Sequence, residues 1–218
     1  MRAALRLRGA ISLLLVLLVW EVVSRVGIVP ARYFPGLADI FAGAVGMIRN
    51  GELPAAEAMT LARAVAGLVL ATLIGIALAV LSDVSPFFER GFRTITGLLQ
   101  PIPPAAIVPL AIFGFGLGLN LYVFIIVMVT IWGPYLNGVT ALRAVPVEHI
   151  LSSRMMRMTP AQIMWHVKLP AAMPQIFAGI RYAAAVSLIA VVVSEMIAGR
   201  DGIGYLLVRK SFSIRIPE

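Results

Sequence analysis

The chain contains no cysteine and two histidines, His149 and His166. Disulfides, thiolate metal sites and thiol catalysis are therefore excluded, and a histidine-based metal centre has too few ligands. No G-x-x-x-x-G-K-[ST] stretch is present, so the chain has no usual cradle for nucleotide phosphates. It also has no HExxH, nucleophile elbow or paired metal carboxylates. With no clustered polar site inside its apolar segments, it is not expected to be an enzyme. Charge is scarce: 13% of residues are Asp, Glu, Lys or Arg, with 10 acidic against 18 basic. A soluble domain carries about 25% charged residues.

What is there instead is hydrophobic sequence. Apolar residues make up 61% of the 218 positions, and mean hydropathy is +0.98. Long apolar runs of this kind need lipid around them, so the chain reads as one polytopic membrane domain over residues 1–218. The net charge of +8 fits loop Arg and Lys placed by membrane orientation, and no nucleic-acid partner is expected.

Five spans are expected, over about 9–29, 60–81, 97–117, 119–138 and 175–198. The first has a basic start and an apolar core, as a signal peptide does, but no small-x-small cleavage site follows. In it Glu21 and Arg25 are four apart and share a helix face. The turn-rich stretch after it holds an amphipathic helix at about 37–49. Gly67, Ala71, Gly75 and Ala79 recur every four residues in the second span, where another backbone can approach. Packing within the subunit is the preferred reading, with a seam of the translocation unit as the other. Arg63 is expected to snorkel from the outer end. Ser82 to Arg93 reads as a short charged link.

The third span carries Pro101, Pro103, Pro104 and Pro109, which would break a simple helix. Loosened backbone survives in lipid only against protein or a water-filled cavity. These prolines are therefore pathway or gate candidates that face the interior or a subunit interface. In the fourth span Asn137 is read as a helix-end hydrogen bonder. Gly179, Ala183 and Ser187 form a second small-residue face in the fifth span. Ser194 and Glu195 close that span, and an intramembrane acid is a functional candidate by default. Glu195 is either a gate or pathway group or a structural ion pair, with Arg200 as its neutralising neighbour.

Between the fourth and fifth spans lies a polar insert, about 140–174. Pro146 suits a first helical turn. Thr159-Pro160-Ala161-Gln162 predicts a second helix start, with Thr159 and Gln162 completing a capping box. Leu169-Pro170 is expected to end that helix, and Pro174 to keep it from resuming. Val147, Ile150, Leu151, Met155 and Met158 lie near helical spacing and form one apolar strip, flanked by Arg154 and Arg157. Such a strip either docks a partner or packs on the chain's own helices.

Several of these stretches resemble one family. The insert closing on Leu169-Pro170-Ala171-Ala172-Met173-Pro174 is similar to the "EAA" loop of binding-protein-dependent ABC importer permeases. The nitrate/sulfonate/taurine branch is the most similar. Aligned from Leu169-Pro170, Leu151-Ser152-Ser153 stands where Glu-Ala-Ala is usual, and Arg157 where Gly is usual. P-I-P-P-x-A-x-x-P-L resembles the family's third span, W-E-V-V-S-R-V-G-I-V-P its first helix, and D-G-I-G-Y-L-L its "GLGYLL" segment. Phe34-Pro35-Gly36 resembles the "LPSP" start of an extracytoplasmic helix.

The resemblance implies an all-α polytopic transmembrane helical bundle of the type I ABC importer permease kind. In the family a further helix follows the fifth span; with the chain ending at Glu218, that final helix is read as missing. It implies a bacterial inner-membrane, multi-pass permease with no cofactor of its own, ATP being bound by a cytoplasmic ABC ATPase. A second permease copy, most simply an identical one, and an extracytoplasmic solute-binding protein complete the system. Ile150, Leu151, Ser152, Ser153, Arg154, Met155, Arg157, Met158, Leu169 and Pro170 would form the ATPase-coupling surface. The solute would be a small anion such as a sulfonate, taurine or nitrate. A non-transporting receptor or assembly subunit derived from a truncated permease is the alternative. Arg and Lys concentrate at the N-terminus and in the insert, which implies that both face the cytoplasm, although the tail adds Arg200, Arg209, Lys210 and Arg215 outside.

Overall fold

A computed structural model describes residues 2–26, 30 and 33–213, and no β-strand occurs among them. The span expected over 9–29 is helical as far as Val26 (α1, Arg2–Val26). Residues 27–29, and Arg215 of the charged tail, lie outside the described residues. The chain divides into two compact units, Met1–Ala55 with Lys210–Glu218, and Ala56–Arg209.

In the first unit α1 is followed by a turn and by α2 (Leu37–Arg49), the expected amphipathic helix. One turn of α1 holds the connecting chain. Trp20 donates from Nε1 to the Pro35 carbonyl (3.1 Å) and stacks on Phe34, with ring centroids 4.4 Å apart. Ser24 donates to the Phe34 carbonyl. Glu21 accepts from Arg25 at 2.7 Å, as its spacing predicts, and from the Leu37 N–H at the start of α2 at 2.9 Å.

The second unit is built on helices that are long, apolar and lined with small residues. α3 (Glu52–Val84), the pair α6 (Leu119–Thr130) and α7 (Trp132–Arg143), and α10 (Leu169–Ala198) are its main members. Among the described residues, three helical stretches are long and apolar enough to cross a membrane: Glu52–Val84, Leu119–Arg143 and Pro160–Ala198. The small-residue stripe of α3 is buried, and it packs inside this unit. A Cβ added at Gly67 would stand 2.5 Å from Ile126, and one at Gly75 would stand 2.9 Å from the Ile131 carbonyl. Gly133 and Gly179 meet backbone to backbone, so a Cβ at Gly179 would lie 2.5 Å from the Gly133 carbonyl. Apolar helices in lipid gain little from hydrophobic burial against each other. Close backbone approach supplies the contact instead.

Two expectations are corrected by local geometry. The link at 82–93 is helical: α4 (Pro86–Leu99) starts at once, because the Ser85 hydroxyl accepts the Phe88 N–H and Pro86 occupies the first turn. The span expected over 97–117 is a bent pair. α4 and α5 (Pro104–Phe115) meet at 103° across residues 100–103. Pro103 is extended, Pro104 opens α5, and Pro109 lies inside it. α5 alone is about 18 Å long, shorter than a hydrocarbon core of about 30 Å.

The insert differs in a third way. α8 (Val147–Met155) forms, with Pro146 one position earlier than expected, because its ψ of 136° is extended. The Thr159–Gln162 capping box opens α9 (Pro160–Ile163) as its residues predict. Leu169-Pro170 does not end the helix. Met164–Lys168 widens into a π-turn in which the Leu169 N–H reaches back five residues to the Met164 carbonyl, and α10 follows without a break. The wider turn relieves the clash that the Pro170 ring would make with the preceding turn. Pro174 then lies inside α10, near its start.

Arg157, standing where Gly is usual, has φ of 58°. A side chain in this left-handed region costs about 1–2 kcal/mol, and glycine adopts it freely. Arg157→Gly is expected to stabilise the protein by about 1 kcal/mol, read as a rise in thermal midpoint in detergent.

Candidate functional site

Two polar constellations sit at opposite ends of α3 and α10. At the insert end Lys168, on the π-turn, pairs with Asp83 near the end of α3. Glu89 of α4 takes a bidentate pair from Arg143 at the end of α7, each contact 3.0 Å, and a second arginine, Arg93, at 3.1 Å. The ends of α3, α4 and α7 and the stem of α10 are thus joined by charge. Below α8 a groove of about 480 Å³ is lined by Asp83, Ile150, Arg154, Met158, Ile163 and Lys168, among others.

The expected apolar strip divides here. Val147, Leu151 and Met155, one turn apart, face outward, and Met155 is 86% exposed with Met156 at 76%. Ile150 and Met158 are half-covered and turn into the groove. Ser152 is exposed and Ser153 buried, each hydroxyl bonding a carbonyl four residues back. Arg154 and Arg157 are exposed, Leu169 is half-buried, and Pro170 is exposed. An apolar stripe ringed by arginines on a short helix, backed by salt-bridged stems, suits contact with another protein.

At the other end Glu195 is sealed, with 1% exposure. Its carboxylate accepts from the Thr60 hydroxyl (2.8 Å), Arg63 Nη1 (2.8 Å) and the Gly204 N–H (3.1 Å). Arg63, 7% exposed, also pairs with Asp201 and lies 4.1 Å from the centre of the Tyr122 ring. Thr60 in turn accepts the Ile203 N–H at 2.9 Å. Two glycines make room. Gly202 has φ of 93°, and a Cβ there would fall 2.3 Å from the Glu195 carboxylate; one at Gly204 would fall 2.2 Å from the Val192 carbonyl. The D-G-I-G-Y stretch is therefore shaped to close over a buried acid and to begin α11 (Ile203–Ser213).

This arrangement replaces two expectations. Arg63 does not snorkel; it turns inward, and it, not Arg200, neutralises Glu195. The signal was present: Arg63 is four residues before Gly67, in register with the buried small-residue stripe. Ser194 donates to the Ala190 carbonyl (2.7 Å) within its own helix. Asn137 likewise bonds its own helix, to Gly133 at 2.9 Å, and lies inside α7. Pro101, Pro103 and Pro109 are exposed and Pro104 is half-buried, so the prolines and the sealed Glu195 do not form one site.

The family model described as "Binding-protein-dependent transport system inner membrane component" matches residues 67–218. The chain is 27% identical to the nitrate import permease protein NrtB of Synechocystis over 210 residues, 92% of this chain and 75% of that one. It is 25% identical to the putative aliphatic sulfonates transport permease protein SsuC of Bacillus subtilis, across 92% of this chain and 73% of that one. With the bicarbonate transport system permease protein CmpB of Synechocystis it shares 26% identity over 68% of its own length and 53% of the relative's. The chain belongs to the family of inner-membrane components of binding-protein-dependent transport systems, and is an all-α, multi-pass permease of the ABC importer kind rather than an enzyme.

Proposed function

We propose that this permease carries a small oxyanion and is driven by an ATPase that docks on α8. Two copies form the path, the ATPases bind the ATP, and a solute-binding protein delivers the anion from the opposite side. The N-terminus and the insert face the cytoplasm. The observation that carries the reading is the exposed stripe Val147–Leu151–Met155 on a helix whose stem is tied to α3. Relatives named for nitrate, bicarbonate and aliphatic sulfonates support the anionic solute.

The coupling follows from the connections. A push on α8 passes through the capped turn at Thr159 into a continuous helix from Pro160 to Ala198. The Lys168–Asp83 pair passes the same motion to α3. The insert thus acts as a lever on two spans at once, and the energy comes from the partner.

The test is reconstitution together with its cognate ATPase and solute-binding protein. ATP-dependent accumulation of nitrate, bicarbonate or an alkanesulfonate in proteoliposomes is expected. ATP hydrolysis that no such anion stimulates, with no accumulation, would refute the reading.

A further inference from the structure

Among the described residues, one charged residue, Arg181, stands unpaired midway along the helices. The two ionic constellations bracket the bundle: Arg63 and Asp83 mark the ends on α3, and Glu195 and Lys168 the ends on α10. From Arg63 to Asp83, α3 rises about 30 Å, the thickness of a hydrocarbon core. Arg181 lies halfway along the other helix, about 20 Å from Lys168 and about 20 Å from Glu195. Packing gives the same depth independently. Gly75 abuts Pro134 and Tyr135, and Gly133 in the same helix abuts Gly179 and Tyr182, neighbours of Arg181. Gly75 itself is about 12 Å from Asp83 and about 18 Å from Arg63.

Arg181 is exposed on the chain and forms no ion pair or hydrogen bond among the described residues. An arginine at this depth is costly against lipid, and its stem is too short to reach either surface. It must therefore face protein or water. A second copy of the chain brings no free counter-charge: residues 64–82, 104–115, 119–142 and 169–194 contain no Asp or Glu, and Glu21 of α1 is already held by Arg25 and the Leu37 N–H. Two copies side by side would set two guanidiniums at mid-depth with nothing fixed to neutralise them. A mobile anion satisfies both. The guanidinium is a planar fork that holds an oxyanion through two parallel N–H donors.

We infer that Arg181 lines the water-filled path between two copies and is the mid-membrane contact for the transported oxyanion. This rests on the proposed function above. It assigns the face of α10 carrying Ala178, Arg181 and Ala185 to the path, since these residues are successive turns of one exposed surface.

The chain has no native cysteine, so the test uses Arg181→Cys in the assembled transporter. A membrane-impermeant, water-soluble methanethiosulfonate should label it, and saturating nitrate, bicarbonate or methanesulfonate, whichever the wild type accumulates, should slow the labelling. Arg181→Gln should lower uptake of that anion at least tenfold while still co-purifying with the ATPase, and Arg181→Lys should recover part of it with a raised KM. If the position-181 variants fail to insert, Ala178→Cys and Ala185→Cys report the same face. Wild-type uptake by Arg181→Gln, or a face that resists the aqueous reagent, overturns the assignment and leaves the proposed function standing. A wild-type transporter that accumulates none of the three anions overturns both.

Discussion

Arg63→Met is expected to destabilise the helical unit by about 3–5 kcal/mol, because it strands a sealed carboxylate. Glu195 has 1% exposure and cannot turn to water. Once Arg63 is gone, the Thr60 hydroxyl and the Gly204 N–H remain as its donors, and neither carries a full charge. Removing both partners should cost less than the sum of the two single removals. In Arg63→Met with Glu195→Met, the buried charge disappears and methionine fills similar volume. What remains is the loss to the Thr60 and Gly204 donors, about 1–3 kcal/mol each at most. Thermal or SDS unfolding in mixed micelles would measure the cycle. A double variant as unstable as the sum of the singles would mean that the pair is not coupled as the geometry has it.

The second large effect is on assembly. Leu151→Asp with Met155→Asp is expected to abolish co-purification of the ATPase while the permease still inserts and unfolds normally. Each apolar side chain is worth about 1.5–3 kcal/mol when fully buried in an interface. Losing both weakens binding by about a hundredfold or more, before the cost of two new carboxylates is added. Both residues are exposed on the chain, so the fold has no stake in them. Met158→Asp should behave differently. Its side chain turns into the groove against Ile163 and Met164, and an acid there should lower stability first. Equal co-purification of wild type and the Leu151/Met155 variant would remove α8 from the docking site.

Features set by neighbours in sequence were legible from the residues. The Thr159–Gln162 box, the Glu21–Arg25 pair, the helix at 37–49 and the small-residue stripes depend on spacing within one helix, and each formed. The proline rules misled at Leu169-Pro170 because they describe a regular α-helical ladder. The π-turn at Met164–Lys168 changes the register just ahead of the ring, and nothing local announces it. At 97–117 the prolines did signal a break, but not that it would be a 103° bend between separate helices. The partner of Glu195 was missed because it lies 132 residues away in the chain. Arg200 is nearer in sequence, and proximity along the chain is a poor guide to a partner across a bundle. The split of the insert's apolar strip lay partly in the spacing, since Ile150 and Met155 stand five residues, about 140°, apart on α8; the side that Met158 takes depends on the left-handed turn at Arg157 before it.

Coupling requires α8 to lie in the cytoplasm, where an ATPase can reach it. Arg154→Cys in the cysteine-free chain tests this directly, with an impermeant maleimide applied to sealed membrane vesicles of known orientation. Rapid labelling is expected in inside-out vesicles, with protection when the ATPase is bound and no labelling in right-side-out vesicles. Labelling in right-side-out vesicles alone would contradict a cytoplasmic α8.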